Sequence, residues 1–205
     1  MSSQPALKPA VANQPLVNQQ GDVFISDPPL ARLLFSSTRL SWLWLIIRVY
    51  LGWQWLTAGW GKFNNPAWVQ TGDALKGFWT NAVKIPDTGK APIAYDWYRD
   101  FIQLMLDQGW YTWFAKVITF GELVIGVALI LGAFVGLAAF GGALLNWNFI
   151  MAGAASTNAV LFTLAILLVL AWKVAGWYGL DRFLLVRIGT PWTWVSFTPD
   201  KPLRS

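Results

Sequence analysis

The chain has 205 residues, of which 56% are hydrophobic and only 12% are charged, and its formal net charge is +5. Soluble domains usually carry about 25% charged residues, so this composition disfavours a soluble protein. Neither cysteine nor histidine is present. Their absence excludes disulfides, persulfides and iron–sulfur clusters on this chain, and it also excludes the usual ligation of haem or metals.

Residues 1–40 predict a tail on the cytoplasmic side. Residues 1–20 are rich in Gln, Pro, Ala and Asn and lack the apolar core of a signal peptide. We therefore expect this part to be disordered or bound to a partner. Residues 28–35 predict a short amphipathic segment at the membrane interface. A second tail is expected at 187–205.

Four apolar runs follow the first tail, at 41–63, 112–135, 136–156 and 159–179. Each has roughly 20 residues or more, enough to cross a ~30 Å hydrocarbon core as an α-helix. We therefore predict an all-α integral membrane protein, a four-helix bundle at 41–186. A very tight turn is expected at 132–136. The alternative, a soluble all-helical protein with an unusually apolar core, is disfavoured by the lengths of the runs.

The segment 64–111, between the first two runs, is long for a hairpin connection and predicts structure of its own. Apolar residues recur at helical spacing over 67–83 and 95–108, with a turn signal at 86–89 between them. We expect two interfacial helices that cap the outer face of the bundle. A passive lid is favoured over a lid that gates a substrate.

The distribution of basic residues predicts the orientation in the cell membrane. With four spans, both termini lie on one side, and Lys and Arg are more numerous there than in the segment 64–111. The positive-inside rule then predicts a multi-pass protein with cytoplasmic termini. Because the basic residues flank apolar spans, the net charge does not indicate a nucleic-acid partner.

Arg48 and Glu122 lie inside the first and second runs. An ionisable group at membrane depth costs at least roughly 2.5–3.5 kcal/mol on insertion scales, so each should face the bundle interior. Helical spacing places both on stripes of small and polar residues, which are typical of helix contacts in membranes. The four stripes are Arg48, Gly52, Trp55, Gly59 and Lys62; Ala115, Thr119, Glu122, Gly126, Leu129, Ala133 and Gly136; Gly142, Asn146, Phe149, Gly153 and Ser156; and Asn158, Ala165, Trp172, Gly176 and Gly179.

The positions of Arg48 and Glu122 within their apolar runs place the two residues at similar depths, which predicts an Arg48–Glu122 ion pair with Asn146 nearby. The functional interpretation of these residues is a cavity for a polar headgroup, such as a quinone carbonyl. Trp55 either stacks on such a ligand or packs in the core. Lys62 and Lys116 are candidates for holding an anion that arrives from outside, although Lys62 is also expected to extend towards the interface.

Several motifs occur in a distinctive order: Arg48-x3-Gly52, Gly59-x-Gly61-Lys62-Phe63, Gly121-Glu122-x3-Gly126-x5-Gly132, residues 146–153 followed by 156–158, and Trp172-Lys173-x2-Gly176-x2-Gly179-Leu180-Asp181. Together they resemble the DoxX/DoxD family of four-helix membrane proteins over roughly residues 42–186. Some members are the membrane subunit of thiosulfate:quinone oxidoreductase, which passes electrons from thiosulfate to a membrane quinone beside a smaller partner subunit. The matching charged positions are Arg48, Lys62 and Glu122.

Two functions are compatible with the sequence. The first is a quinone-linked oxidoreductase subunit, with Arg48 and Glu122 as catalytic candidates and a quinone near Arg48, Trp55, Glu122 and Asn146. The second is a non-catalytic accessory or structural subunit of a larger respiratory or photosynthetic membrane complex. In that case Asn148, the N-terminal tail and the segment after Asp181 should contact other chains. No metal, haem or iron–sulfur cluster is expected in either case.

Overall fold

The computed structural model describes residues 16–17, 23–24 and 27–187, and within these the fold is all-α apart from two short strands. The strands β1 (Leu16–Val17) and β2 (Val23–Phe24) pair antiparallel. The rest of the predicted N-terminal tail up to residue 26, and the C-terminal tail at 188–205, lie outside the described residues. The predicted domain boundaries therefore stay predictions.

The amphipathic segment predicted at 28–35 is a helix, α1 (Pro29–Phe35). It begins with Pro29, which is suited to a first helical turn because its missing N–H would have no partner there. The chain then bends by 54° and continues through a single 3₁₀ turn, Thr38–Leu40, into α2 (Ser41–Phe63). The indole of Trp44 donates a hydrogen bond to the carbonyl oxygen of Leu34 at 2.8 Å, which ties α1 to α2.

Three helices occupy the segment between α2 and the next long helix: α3 (Pro66–Val69), α4 (Asp73–Ala82) and α5 (Asp96–Asp107). The single helix predicted at 67–83 is wrong, because Gly72 breaks it with φ of +79°. A Cβ at Gly72 would lie 2.5 Å from the carbonyl oxygen of Tyr111, so the chain turns there against the start of the next helix. The helix predicted at 95–108 is confirmed.

The remaining helices are α6 (Tyr111–Leu131), α7 (Val135–Met151), α8 (Ser156–Leu170), α9 (Trp172–Ala175) and α10 (Asp181–Arg187). The tight turn predicted between the second and third runs is confirmed, since only residues 132–134 separate α6 from α7. Gly132 and Phe134 both have positive φ there, +70° and +49°. The fourth run is divided at Ala171, so α8 continues into the short α9.

The long helices pack in antiparallel pairs, α2 on α6 and α7 on α8, and α6 joins the two pairs through α7. Small residues permit the closest approach. A Cβ on Gly126 would lie 2.6 Å from the backbone nitrogen of Leu56, and one on Gly52 would lie 3.0 Å from the carbonyl oxygen of Gly126. The predicted stripes of small and polar residues on α2 and α6 are therefore buried against each other.

In the middle of the four long helices, the charged side chains are buried and large apolar side chains are exposed. Between Ser41 and Gly61 the one charged residue is Arg48, and between Val117 and Leu131 it is Glu122; each is 1% exposed. Helices α7 and α8 contain no charged residue. The exposed positions instead carry large apolar side chains, among them Ile46, Trp53, Phe120, Val124, Leu137, Phe140, Leu144, Val160 and Ile166.

Among the described helices, Tyr111–Leu131 is long and apolar enough to cross a membrane by itself. The bent pair Pro29–Phe35 and Thr38–Phe63 passes the same test if it is taken as one unit. Helices Val135–Met151 and Ser156–Leu170 are apolar but shorter.

Candidate functional site

Lys62 and Glu122 form a salt bridge at the interface of α2 and α6. The ammonium nitrogen of Lys62 lies 2.9 Å from Oε1 and 2.7 Å from Oε2 of the carboxylate. The Glu122 side chain is 1% exposed and the Lys62 side chain is 18% exposed. Gly59, one turn before Lys62, brings the helices together, because a Cβ there would lie 3.1 Å from Cβ of Glu122.

The predicted Arg48–Glu122 ion pair is wrong because the register between α2 and α6 separates the two residues. Gly59 faces Glu122, whereas Arg48 faces Gly132 at the other end of the interface. Residues 122 and 132 are about 15 Å apart along α6 at 1.5 Å per residue. The first turns of α6 pack beside α3 and α4, so depths counted from the ends of the apolar runs misplaced Glu122. Lys62 points to Glu122.

Two aromatic rings flank the Lys62 ammonium group. Its nitrogen lies 5.1 Å from the ring centroid of Trp68 on α3 and 5.9 Å from that of Phe149 on α7. Ring faces attract cations through their quadrupole, most strongly where water is excluded. The salt bridge is therefore enclosed by α3 of the segment 64–111, here called the outer segment, on one side and by α7 on another.

Two buried side chains on α2 and α7, Trp55 and Asn146, have polar atoms without a hydrogen-bond partner among the described residues. Within the described part of the chain, Oδ1 and Nδ2 of Asn146 and Nε1 of Trp55 have no hydrogen-bond partner. Asn146 is fully buried and Trp55 is 3% exposed. Buried polar groups are almost always hydrogen-bonded, so these atoms are ones to which the described part of the chain supplies no partner.

The helix contacts place these residues on neighbouring turns of three helices. Trp55 and Ile125 both lie against Gly142: a Cβ on this glycine would be 2.9 Å from Nε1 of Trp55 and 3.5 Å from Cγ2 of Ile125. Asn146 is one turn beyond Gly142 on the same face of α7, and Glu122 is one turn from Ile125 on α6. We call Trp55, Lys62, Glu122 and Asn146 the polar core site. Three of the four residues predicted to hold a quinone are in it, and Arg48 is not.

Arg48 belongs to a second cluster at the opposite end of α2. Its Nη2 donates to the carbonyl oxygen of Tyr178 at 2.9 Å. The nearby Asp181 carboxylate accepts hydrogen bonds from the backbone N–H groups of Phe134 and Val135, the start of α7. Burial raises the pKa of the Asp181 carboxyl, while these two donors and the charge of Arg48 oppose that rise. We call these residues the Arg48–Asp181 cluster.

The Arg48–Asp181 cluster holds the segment after α9 on the turn between α6 and α7. The backbone N–H of Asp181 donates to the carbonyl oxygen of Gly132 at 2.8 Å. Gly179 is in direct contact with Gly132, since a Cβ on either would lie 2.8 Å from the Cα of the other. Sequence reasoning noted Gly132 in one motif and Gly179 and Asp181 in another, but it did not connect them with Arg48, which is 130 residues from Tyr178.

The other predicted site residues lie elsewhere. Lys116 is exposed and is about 120° from Glu122 around α6 at 3.6 residues per turn, so it does not share a face with the salt bridge. Asn148 faces the outer segment, where its backbone and side-chain oxygens both accept from the Tyr98 hydroxyl at 3.1 Å.

Among known protein families, the profile of the DoxX family matches residues 43–155, more than half of the chain. The matched region includes all four residues of the polar core site, and it ends before Tyr178 and Asp181. No curated protein and no solved structure matches the chain.

Proposed function

Because the chain belongs to the DoxX family, a family of membrane proteins, we propose that it is a multi-pass cell-membrane protein with four spans: α2, α6, α7, and α8 together with α9. The apolar surface of these helices, which carries no exposed charge between Ser41 and Gly61, between Val117 and Leu131, or along α7 and α8, supports this proposal, since lipid is the solvent that such a surface fits. Helix α7 is about 26 Å long and residues 156–175 about 30 Å at 1.5 Å per residue, near the thickness of a hydrocarbon core. The helices α3–α5 then lie outside and both termini are cytoplasmic.

We propose further that the polar core site binds the headgroup of a membrane quinone and that the chain is a quinone-linked oxidoreductase subunit. The observation that carries this proposal is the set of unpartnered atoms on Trp55 and Asn146. The indole N–H and the carboxamide NH₂ are donors that suit a quinone carbonyl oxygen, and the carboxamide oxygen is an acceptor that suits a quinol hydroxyl. A quinone bound there would take up two electrons and two protons.

The Lys62 ammonium group of the salt bridge can donate one of those protons beside the headgroup, and the second proton comes from solvent. Lys62 is the partly exposed member of the pair, so its ammonium group is the part of the salt bridge nearer to solvent. The chain has no Cys or His and therefore no ligands for an iron–sulfur or haem carrier of the usual kinds. Electrons must come directly from the donor or from a partner subunit.

Thiosulfate is the electron donor that we propose to test first. Two thiosulfate ions that join release two electrons, which matches the demand of one quinone. Lys62 is already neutralised by Glu122, and Lys116 lies on a different face of α6. We therefore propose that the anion is oxidised on a partner subunit, while this chain carries out the quinone half of the reaction.

Native mass spectrometry of protein extracted in mild detergent tests quinone binding. We expect a bound quinone in the wild type and roughly 5–30-fold weaker binding in Trp55→Phe and Asn146→Leu, the effect of one lost hydrogen bond of about 1–2 kcal/mol. Trp53→Phe is the matched control, because Trp53 is 58% exposed on the opposite side of α2. A wild type that neither retains quinone nor binds an added quinone would overturn the proposal.

The second candidate function, a non-catalytic subunit of a larger membrane complex, is favoured by the pairing of the charges. Lys62 is neutralised by Glu122, and Arg48 donates to the carbonyl oxygen of Tyr178, so both clusters also hold distant segments of the chain together. This function predicts that the chain is extracted together with other membrane subunits and without quinone. The same native spectra distinguish the two functions.

A further inference from the structure

A cavity of about 280 Å³ lies between the outer helices α4 and α5 and the outer turns of α6 and α7. Its deepest walls include Leu75, Ile102 and Met105, each at most 2% exposed. Its polar lining residues, Tyr98 and Asn148, are hydrogen-bonded to each other. The rest of the lining is aliphatic and aromatic, so the cavity offers little to a polar ligand.

The cavity opens on the flank of the bundle. Its most exposed lining residues are Phe101, Val117 and Leu144, which are 43%, 54% and 50% exposed. Val117 and Leu144 belong to the uncharged faces of α6 and α7 that we propose to contact lipid. A molecule that enters through this mouth therefore comes from the bilayer.

Protein interiors are close-packed, and a void lined by apolar side chains stays dry and takes up apolar molecules. From the lining and the position of the mouth, we infer that this cavity binds one apolar chain of a membrane lipid, inserted between α6 and α7. A phospholipid acyl chain and the isoprenoid tail of a quinone share this chemistry. The inference rests on the membrane placement in the proposed function but not on quinone binding.

Phe149 connects this cavity with the polar core site. It lines the cavity, and its ring lies 5.9 Å from the Lys62 nitrogen. A bound chain packs against the cavity side of this ring and supports its position beside the ammonium group. The two sites thus share a wall, and occupancy of the cavity stabilises the wall.

Photo-crosslinking of the full-length protein in liposomes tests the inference. The probe is a phosphatidylglycerol whose acyl chain ends in a diazirine, and a second arm uses a quinone with the diazirine on its tail. Labelling of Leu75, Ile102 or Met105, which a lipid on the surface cannot reach, is the expected result. Labelling confined to exposed residues such as Leu137 in both arms would overturn the inference.

Variants that fill the cavity provide a second measurement. Ala152→Leu and Met105→Trp add volume at buried lining positions, and we expect each to reduce deep labelling about tenfold, because lost burial of even a few methylene groups weakens binding to that extent. Leu137→Trp, at a site that is 69% exposed, is the control and should not change it. Undiminished deep labelling in a folded filled variant would contradict the inference.

The two arms separate this inference from the proposed function. Deep labelling by phosphatidylglycerol with no quinone bound in native spectra means that the cavity binds lipid while the quinone proposal fails. Deep labelling by the quinone probe alone means that the apolar chain bound in the cavity is the tail of a quinone. Asn146→Leu should weaken quinone binding without changing the labelling by phosphatidylglycerol.

Discussion

At the scale of single residues, Lys62 and Glu122 differ in how deeply they are buried in their salt bridge. The carboxylate is almost fully buried, whereas the ammonium group retains some exposure and two aromatic neighbours. Removal of one partner from a buried pair is costly because the remaining charge is left uncompensated, although replacement of both is often well tolerated. The two single substitutions should therefore differ.

Lys62→Met should cost about 3 kcal/mol of stability, because Glu122 must then be buried as an unpaired charge or take up a proton. Glu122→Leu should cost less, since Lys62 keeps Trp68 and Phe149 and part of its exposure. The double variant should recover most of the loss. Thermal unfolding in detergent of the four proteins measures the coupling. Additive losses in the double variant would mean that the pair contributes nothing to stability.

The buried hydroxyl of Tyr98 should make the folded protein less stable at high pH. It is 2% exposed, and burial raises the pKa of its hydroxyl from 10.0 to about 12. Between these values the unfolded chain loses the proton while the folded chain keeps it, so its stabilising contribution is complete below pH 10.0 and is lost as the pH approaches 12. Tyrosinate absorbance and thermal unfolding across this range should show the effect in the wild type but not in Tyr98→Phe. Tyr95→Phe, at an exposed site, is the control and should leave the effect unchanged.

At the scale of elements, the contact between α2 and α6 decides which charges meet. Its closest points are Gly52, Gly59 and Gly126, where backbone atoms of one helix occupy the place of a side chain on the other. Membrane helices use such small residues to approach closely, since lipid provides no hydrophobic force to hold them together. The register set by these glycines brings Lys62 to Glu122.

Gly126→Ala should lower the free energy of unfolding by about 1–3 kcal/mol, the usual cost of overpacking. Its Cβ would lie within 2.9 Å of backbone atoms of Leu56 and Gly52, so the helices must separate. Gly61→Ala is the matched control in the same pair of helices, because nothing lies within 4 Å of its Cβ position. It should be neutral or stabilising by about 0.5–1 kcal/mol. Thermal unfolding in detergent compares the two, and equal effects would count against a close helix contact at Gly126.

Periodicity in the sequence predicted the buried faces of α2 and α6, because small and polar residues recur there at helical spacing, whereas Gly153 and Ser156 of the third stripe are exposed. It did not predict the register between α2 and α6, which depends on which glycines meet. Apolar run lengths also could not reveal that the first turns of α6 pack beside α3 and α4. The partner of Arg48 was missed because Tyr178 accepts through its backbone carbonyl, which leaves no trace in the side-chain pattern.

At the scale of the whole molecule, the burial of charged side chains and the exposure of apolar ones on the long helices predict its placement in a bilayer. The outer helices α3–α5 carry the exposed charges near one end of the bundle, and α1 and α10 lie at the other. Three proposed spans separate α4 from α10, so these helices should be on opposite sides of the membrane.

Labelling of single cysteines tests this arrangement. Because the native chain has no cysteine, each single substitution provides one reactive thiol. Asn81→Cys on α4 should react with a membrane-impermeant maleimide in intact cells. Ser36→Cys and Arg187→Cys, both at exposed positions near the other end, should react only after permeabilisation. Reaction of all three from one side would be incompatible with four spans.

The bond between Arg48 and the carbonyl of Tyr178 also constrains biosynthesis. The two residues are 130 positions apart, so at about 5–20 residues per second the ribosome needs roughly 7–26 s to produce the second after the first. If α2 is the first span as proposed, it enters the membrane during this interval with a cation whose partner has not yet been translated. We therefore expect final assembly of the bundle to wait for the last part of the chain, and a chain that terminates before Tyr178 to be less stable.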